Sequence, residues 1–159
     1  MIRFQTEKAE IMTSEGLEKL DAWQKAREFA NAIYRDVIPL LPSEEKYNLA
    51  SQLRRAATSI PANIAEGYGR FYYQSNIQFC YNARGSLEET LSHLILGHDQ
   101  GYINEKLFLT LKERGNNLVC LINGYIAYLK RSKHGENEPG SPGSIKDEQQ
   151  DYGIGSFED

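Results

Sequence analysis

The 159-residue chain has only two cysteines, no apolar run near the ~20 residues of a membrane span, and no strand-like alternation. Cys80 and Cys120 each sit inside an apolar helical pattern, which suits reduced core thiols in a cytosolic setting better than a disulfide. No zinc-ligand spacing surrounds them, and no basic stretch followed by an apolar run marks a secretory signal. These absences point to a cytoplasmic protein without membrane contact, metal or cofactor.

The net charge of −4 is unevenly spread. Residues 17–131 carry fourteen Lys/Arg against twelve Asp/Glu, whereas residues 132–159 carry two against seven. A slightly basic body therefore bears an acidic tail, and that asymmetry bears on partners more than the total does. The tail is rich in Gly, Pro, Ser, Glu and Asp, with too little apolar surface to offset its ordering entropy, so residues 132–159 are expected to be disordered. Its last nine residues place Tyr152, Ile154 and Phe157 among acids, which reads as a solvated chain end or a short docking peptide. Residues 1–16 are expected to form a loosely ordered arm.

Between these ends, four segments show helical periodicity. Leu20, Trp23, Ala26, Ala30, Ile33 and Val37 mark the first, over about 17–37, ended by Pro39 and Pro42. Ser43 is a candidate N-cap for the second, whose stripe is Leu49, Leu53, Ala57, Ile60 and Ile64. Pro61 falls inside it, where a proline costs roughly 3 kcal/mol. The pattern predicts one kinked helix over 43–66, with two short helices broken at Ser59 as the alternative. Gly67 and Gly69 read as its terminator. Ile77, Cys80, Arg84, Leu87, Leu91, Leu94 and His98 form the seam of the third helix, and Gly101 lies past its end. Asn104 caps the fourth, with the seam Leu107, Leu111, Arg114, Leu118, Leu121, Tyr125 and Tyr128. Helices of roughly 20–28 residues joined by short loops predict an all-α, antiparallel up-down-up-down four-helix bundle over 17–131.

No catalytic constellation emerges. Glu89 and His93 share a helix face, but no matching ligand pair exists on another helix, and Ser86 and Ser92 have no positioned histidine. An enzyme is not expected. Gly67-Tyr68-Gly69-Arg70 has neither the preceding strand nor the following Lys-Ser/Thr of a phosphate loop. Arg84 and Arg114 fall on the predicted seams. They read as members of buried or subunit-bridging ion pairs with Glu66, Glu88 or Glu113, or as phosphate ligands in a groove. Gly85 and Ser86 look small enough to admit a close helix. Arg54, Arg55 and Arg70 add basic surface. Tyr68, Phe71, Tyr72, Tyr73, Phe79 and Tyr81 gather around the turn into the third helix. They read as an oligomer interface or a core lid, or as a platform for stacked bases.

The run from Ser51 to Gly67 (SQLRRAATSIPANIAEG), followed by Gly69-Arg70, resembles the signature of the four-helix bundle proteins named for 23S rRNA intervening sequences. Ala83-Arg84-Gly85-Ser86-Leu87-Glu88-Glu89 is similar to that family's second motif, and Trp23-Gln24-Lys25-Ala26 to its first-helix pattern. The resemblance covers about 17–131 and implies a ring-like homopentamer. A related group, the accessory variability proteins of diversity-generating retroelements, forms similar pentamers and assists a reverse transcriptase and its template RNA. That group tends to be strongly basic, whereas residues 17–131 carry only +2. The name records gene location rather than an activity, and the resemblance carries over no catalytic residue.

Two functions follow as expectations. The first is a non-enzymatic oligomeric scaffold that binds RNA or DNA, or a protein that handles them, through Arg54, Arg55, Arg70, Arg84 and Arg114. Pro61, Tyr68, Phe71, Tyr72 and Tyr73 would form its assembly surface. The second is a protein–protein accessory subunit of a reverse transcriptase, with no strong nucleic-acid binding of its own.

Overall fold

Leu20 leaves the helical path: its backbone is extended at φ −73°, ψ 113°, and divides a five-residue helix, α1 (Ser14–Glu18), from α2 (Asp21–Ala32). The computed structural model describes residues 14–133, so residues 1–13 of the expected arm and 134–159 of the expected acidic tail lie outside the described residues, while Ser14–Gly16 are helical and the last helix runs on to Ser132. After α2 the chain winds through a wide π turn, Ile33–Val37, in which the Ile38 N–H reaches the Ile33 carbonyl, and then a 3-10 turn, Ile38–Leu40. Pro39 explains the change. It has no N–H for the Arg35 carbonyl, and its ring would clash with that carbonyl in a regular α-helix.

The second helix starts later than its sequence pattern suggests. Ser43–Glu45 form a separate 3-10 turn, so Ser43 is no N-cap, and α3 spans Leu49–Tyr68. Glu45 does the capping instead: its carboxylate accepts from the Leu49 N–H at 3.0 Å and from the Tyr102 hydroxyl at 3.4 Å. α3 runs unbroken through Pro61. Side-chain donors enter the ladder on both sides of that residue: Thr58 Oγ1 donates to the Arg54 carbonyl at 2.7 Å, and Asn63 Nδ2 to the Ser59 carbonyl at 2.8 Å. Such back-bonding bends a helix, though both donors serve carbonyls other than that of Ala57, which Pro61 deprives of its N–H.

α4 (Tyr73–Asp99) and α5 (Glu105–Ser132) complete the fold. Gly101, at φ +77°, closes α4: its N–H bonds to the His98 carbonyl at 2.9 Å and that of Tyr102 to the Gly97 carbonyl at 3.0 Å. Only a residue tolerant of the left-handed region fits there. Asn104 caps α5 by accepting from the Leu107 N–H at 2.9 Å. α3 packs on α4, α4 on α5, and α2 on both α3 and α5. Neighbours run antiparallel: Gly97 meets Leu49 at one end of the α3–α4 pair, while Gly67 meets Asn76 at the other. Likewise His98 stacks on Phe108, while Asn76 donates to Tyr125. The described residues are thus an all-helical bundle around one core, in which Ile33, Leu53, Ile60, Ile64, Leu87, Leu94, Leu118 and Ile122 are fully buried.

The buried faces of α4 and α5 are rotated from the seams read off the large apolar residues. In α4 the core side is Ile77, Cys80, Ala83, Leu87, Thr90, Leu94 and Gly97; in α5 it is Leu111, Gly115, Leu118, Ile122, Ile126 and Leu129. Small residues set this phase. A Cβ on Gly115 would lie 2.6 Å from Leu91 Cδ2, and one on Gly97 2.9 Å from Ile103 Cδ1. Gly85, expected at a close approach, has nothing within 4 Å of an added Cβ. Gly67 is no turn residue: it is buried inside α3, where an added Cβ would meet Asn76 Oδ1 at 2.7 Å. Cys80 is buried as expected and burial pushes its thiol up to about 12, but Cys120 is exposed because it sits off the 118–122 face.

Candidate functional site

The π turn fixes the surroundings of two grooves. Tyr34 and Arg35 are consecutive on its outer side; Tyr34 lines a groove between α2 and α3, and Arg35 lines one between α2 and α5. The first groove, about 390 Å³, is walled by Lys46 and Tyr47 from the loop ahead of α3, and by Ser51, Arg54, Arg55 and Thr58 from its first turns. The four-residue spacing of Ser51, Arg55 and neighbouring Arg54 and Thr58 keeps them on the side of α3 opposite Leu53, Ala57 and Ile60. Three cations line this groove and no carboxylate does. Neither Arg54 nor Arg55 makes an ion pair with any described residue. Tyr47 is 82% exposed and Tyr34 44%, with the Lys46 ammonium 5.2 Å from the Tyr47 ring centroid. Exposed aromatic faces beside unpaired cations can stack planar rings and hold anions.

The α2–α5 groove is larger, about 530 Å³, with a floor of Phe29, Leu118 and Leu121 and a polar rim that includes Asn31, Asn117, Lys25, Glu28, Arg35 and Arg114. Two of its cations are already compensated. Lys25 Nζ lies 2.8 Å from Glu28 Oε2, and this bond raises the lysine's pKa. Arg35 grips its neighbour Asp36 with two bonds of 2.7 Å, and that grip holds the Asp36 carboxyl below the usual carboxylate range. Arg114 is exposed and forms no ion pair among the described residues, while its field reaches both Lys25 and Asp36.

The five arginines singled out in the sequence do not form one patch. Arg54 and Arg55 share the α2–α3 groove and Arg114 lies in the α2–α5 groove. Arg70, past the end of α3, pairs with Glu66 and stands 4.9 Å from the Phe79 ring. Arg84 donates to Asn123 Oδ1 at 2.9 Å and stands 5.0 Å from the Tyr81 ring, where Lys130 also approaches. The expected buried ion pairs of Arg84 and Arg114 are therefore absent among the described residues: both arginines lie off the buried faces, so neither needs a carboxylate. Around the α3–α4 turn, Phe71 is 40% exposed and meets Tyr72 edge to face, and Pro61, Tyr68, Tyr72 and Tyr73 are half-buried. Tyr73 and Tyr81 pack against the core.

Among the described residues no group of three or more His, Cys, Asp or Glu is gathered to hold a metal ion, and no helix is long and apolar enough to cross a membrane. His98 Nε2 contacts Glu105 Oε2 at 2.7 Å, and His93 lies 3.5 Å from Glu89, both as isolated pairs.

The sequence profile of the 23S rRNA-intervening sequence proteins matches residues 18–124. The chain belongs to that family. A crystal structure of a protein of unknown function from the S23 ribosomal protein family of Bacteroides thetaiotaomicron superposes with a TM-score of 0.61 at 25% identity. The match covers 66% of this chain and 97% of that one. No curated protein matches the chain. The family match spans the helices that build both grooves. Tyr34, Lys46 and Tyr47, which complete the first groove, were not picked out in the sequence. The available signal was a Lys-Tyr pair in the short stretch between Pro42 and Leu49, where an aromatic has no helix face to bury it.

Proposed function

We propose that this family member is a non-enzymatic, homo-oligomeric scaffold that binds single-stranded nucleic acid in the α2–α3 groove. One observation carries the reading: Lys46, Arg54 and Arg55 line the groove with no carboxylate, beside the exposed rings of Tyr34 and Tyr47. Cations track phosphates, and each stacked base adds about 1–3 kcal/mol without regard to sequence. Three phosphate contacts on a single strand give a salt slope near −2, so affinity falls about 20-fold between 50 and 200 mM salt. A pentameric ring, as the resemblance implies, would repeat the groove around a symmetry axis and strengthen a modest local field. We place the assembly surface at Pro61, Tyr68, Phe71, Tyr72 and Tyr73. Tyr68 lies about 20 Å from Arg55 along α3, whereas Pro61 is one turn beyond Thr58, so assembly there would border the end of the groove while leaving Arg54 and Arg55 to its other side. A cytoplasmic location fits the two unpaired thiols.

The test is fluorescence anisotropy with a labelled oligouridylate, comparing the wild-type chain with the Arg54→Ala/Arg55→Ala variant. Salt-sensitive binding that is lost in the variant supports the reading. No binding by the wild-type chain at 50 mM salt would sink it, and leave the accessory subunit that touches only protein, such as a reverse transcriptase. Light scattering after gel filtration should return about five times the 18.1 kDa chain mass, and a stable monomer overturns the ring.

A further inference from the structure

The two grooves lie on either side of a single turn, with Tyr34 facing one and Arg35 the other. We infer that the α2–α5 groove is a second subsite on the same strand, taking one nucleotide with its phosphate on Arg114 and its base on the apolar floor. The inference rests on the nucleic-acid reading above and extends it to a ligand path across α2.

Charge decides how much the subsite holds. Lys25 is paired with Glu28 and Arg35 with Asp36, so the groove's uncompensated charge is that of Arg114 alone. A guanidinium with no ion pair of its own, beside carboxylates already held by Lys25 and Arg35, suits one phosphate, which it engages through two parallel N–H bonds. The floor explains why the ligand is more than a free anion. Half-buried Leu121, backed by the buried Phe29 and Leu118, gives an apolar surface in a groove of about 530 Å³, and the amides of Asn31 and Asn117 stand at its rim. A flat heterocycle buries its faces on such a floor and offers its edge to the amides, which can donate or accept. The α2–α3 groove, with three cations and two exposed rings, is the stronger half of the path. Crossing α2, about 10 Å wide, takes about three stacked nucleotides. A strand of a dozen nucleotides spans both grooves.

The experiment uses the full chain and a fluorescein-labelled 12-nucleotide oligouridylate, read by anisotropy from 50 to 200 mM salt. Arg114→Ala is compared with Arg54→Ala/Arg55→Ala and with Lys106→Ala. Lys106 is an exposed α5 cation that lines neither groove, so its variant controls for the loss of one positive charge. Arg114→Ala should weaken binding roughly five- to tenfold and flatten the salt slope by about 0.7, while Lys106→Ala changes affinity less than twofold. Equal, small effects of Arg114→Ala and Lys106→Ala, with binding still lost in the double-arginine variant, overturn the second subsite and leave the first standing. No binding by the wild-type chain overturns both. Arg114 is exposed, so a circular-dichroism melt unchanged by the substitution confirms that the affinity change is local.

Discussion

Gly67→Ala tests the closest approach between α3 and α4. In most helix interiors this substitution stabilises by about 0.5–1 kcal/mol, because alanine restricts the unfolded chain and propagates the helix better. At Gly67 the new methyl would lie 2.7 Å from Asn76 Oδ1, 2.9 Å from Phe79 Cβ and 3.0 Å from the Asn76 carbonyl. Two of these three are a backbone atom and a Cβ, which cannot swing aside as a long side chain can. The third belongs to an amide in use: Asn76 Nδ2 donates to the Tyr125 hydroxyl at 3.1 Å, and the Cys80 thiol donates to Asn76 Oδ1 at 3.5 Å. Relief requires the two helices to part, or the amide to rotate and leave a buried group unpaired. Overpacking costs about 1–3 kcal/mol and the lost bond about 1, against the propensity gain, for a net destabilisation of about 2 kcal/mol. For a chain of this size that lowers Tm by about 4–8 °C. The assay is thermal and urea unfolding by circular dichroism, with Gly85→Ala as reference because an added Cβ there meets nothing within 4 Å. Gly85→Ala should hold or raise Tm. If Gly67→Ala matches it, the helices do not approach as described and the reasoning fails.

Asn104→Ala removes the side-chain cap of α5 and should cost about 1 kcal/mol in urea unfolding, with an unchanged m-value. Tyr47→Ala should weaken oligonucleotide binding by about 1–3 kcal/mol while leaving Tm within a degree or so, since the ring is 82% exposed. In the native protein at pH 8, Ellman's reagent should modify Cys120 quickly and Cys80 only after unfolding, because burial pushes the Cys80 thiol up to about 12. Two fast thiols would contradict the buried position of Cys80. Burial also pushes the Tyr125 hydroxyl up to about 12. A raised pKa favours the neutral form in the folded state, so this stability is whole below the ordinary tyrosine value and is lost as pH climbs from about 10 to about 12. Urea midpoints should fall across that window, and less steeply for Tyr125→Phe.

The bundle was legible because its local signals are strong: four periodic stretches, an asparagine that caps α5, a glycine that closes α4. Helical phase was harder to read. Counting large apolar residues put Arg84 and Arg114 on the seams, yet Ala83, Gly97 and Gly115 hold the buried faces, since helices approach where side chains are small. The same bias made Gly67 look like a terminator when it is a contact. Arg54 and Arg55 were visible as a basic pair, but their groove is assembled from Tyr34, Lys46 and Tyr47, which approach them only once α2 and α3 pack. The π turn left no periodic trace, because Ile33 and Val37 keep an ordinary four-residue step. Its cause, Pro39, was visible only as a stop signal.

That wide turn makes chain length between Phe29 and Pro39 matter independently of residue identity. A chain one residue shorter there, and without the proline at position 39, would close the turn into regular helix, and side chains beyond it would swing by about 100°. Tyr34 and Arg35 would then no longer straddle the ridge between the two grooves, even with every arginine retained.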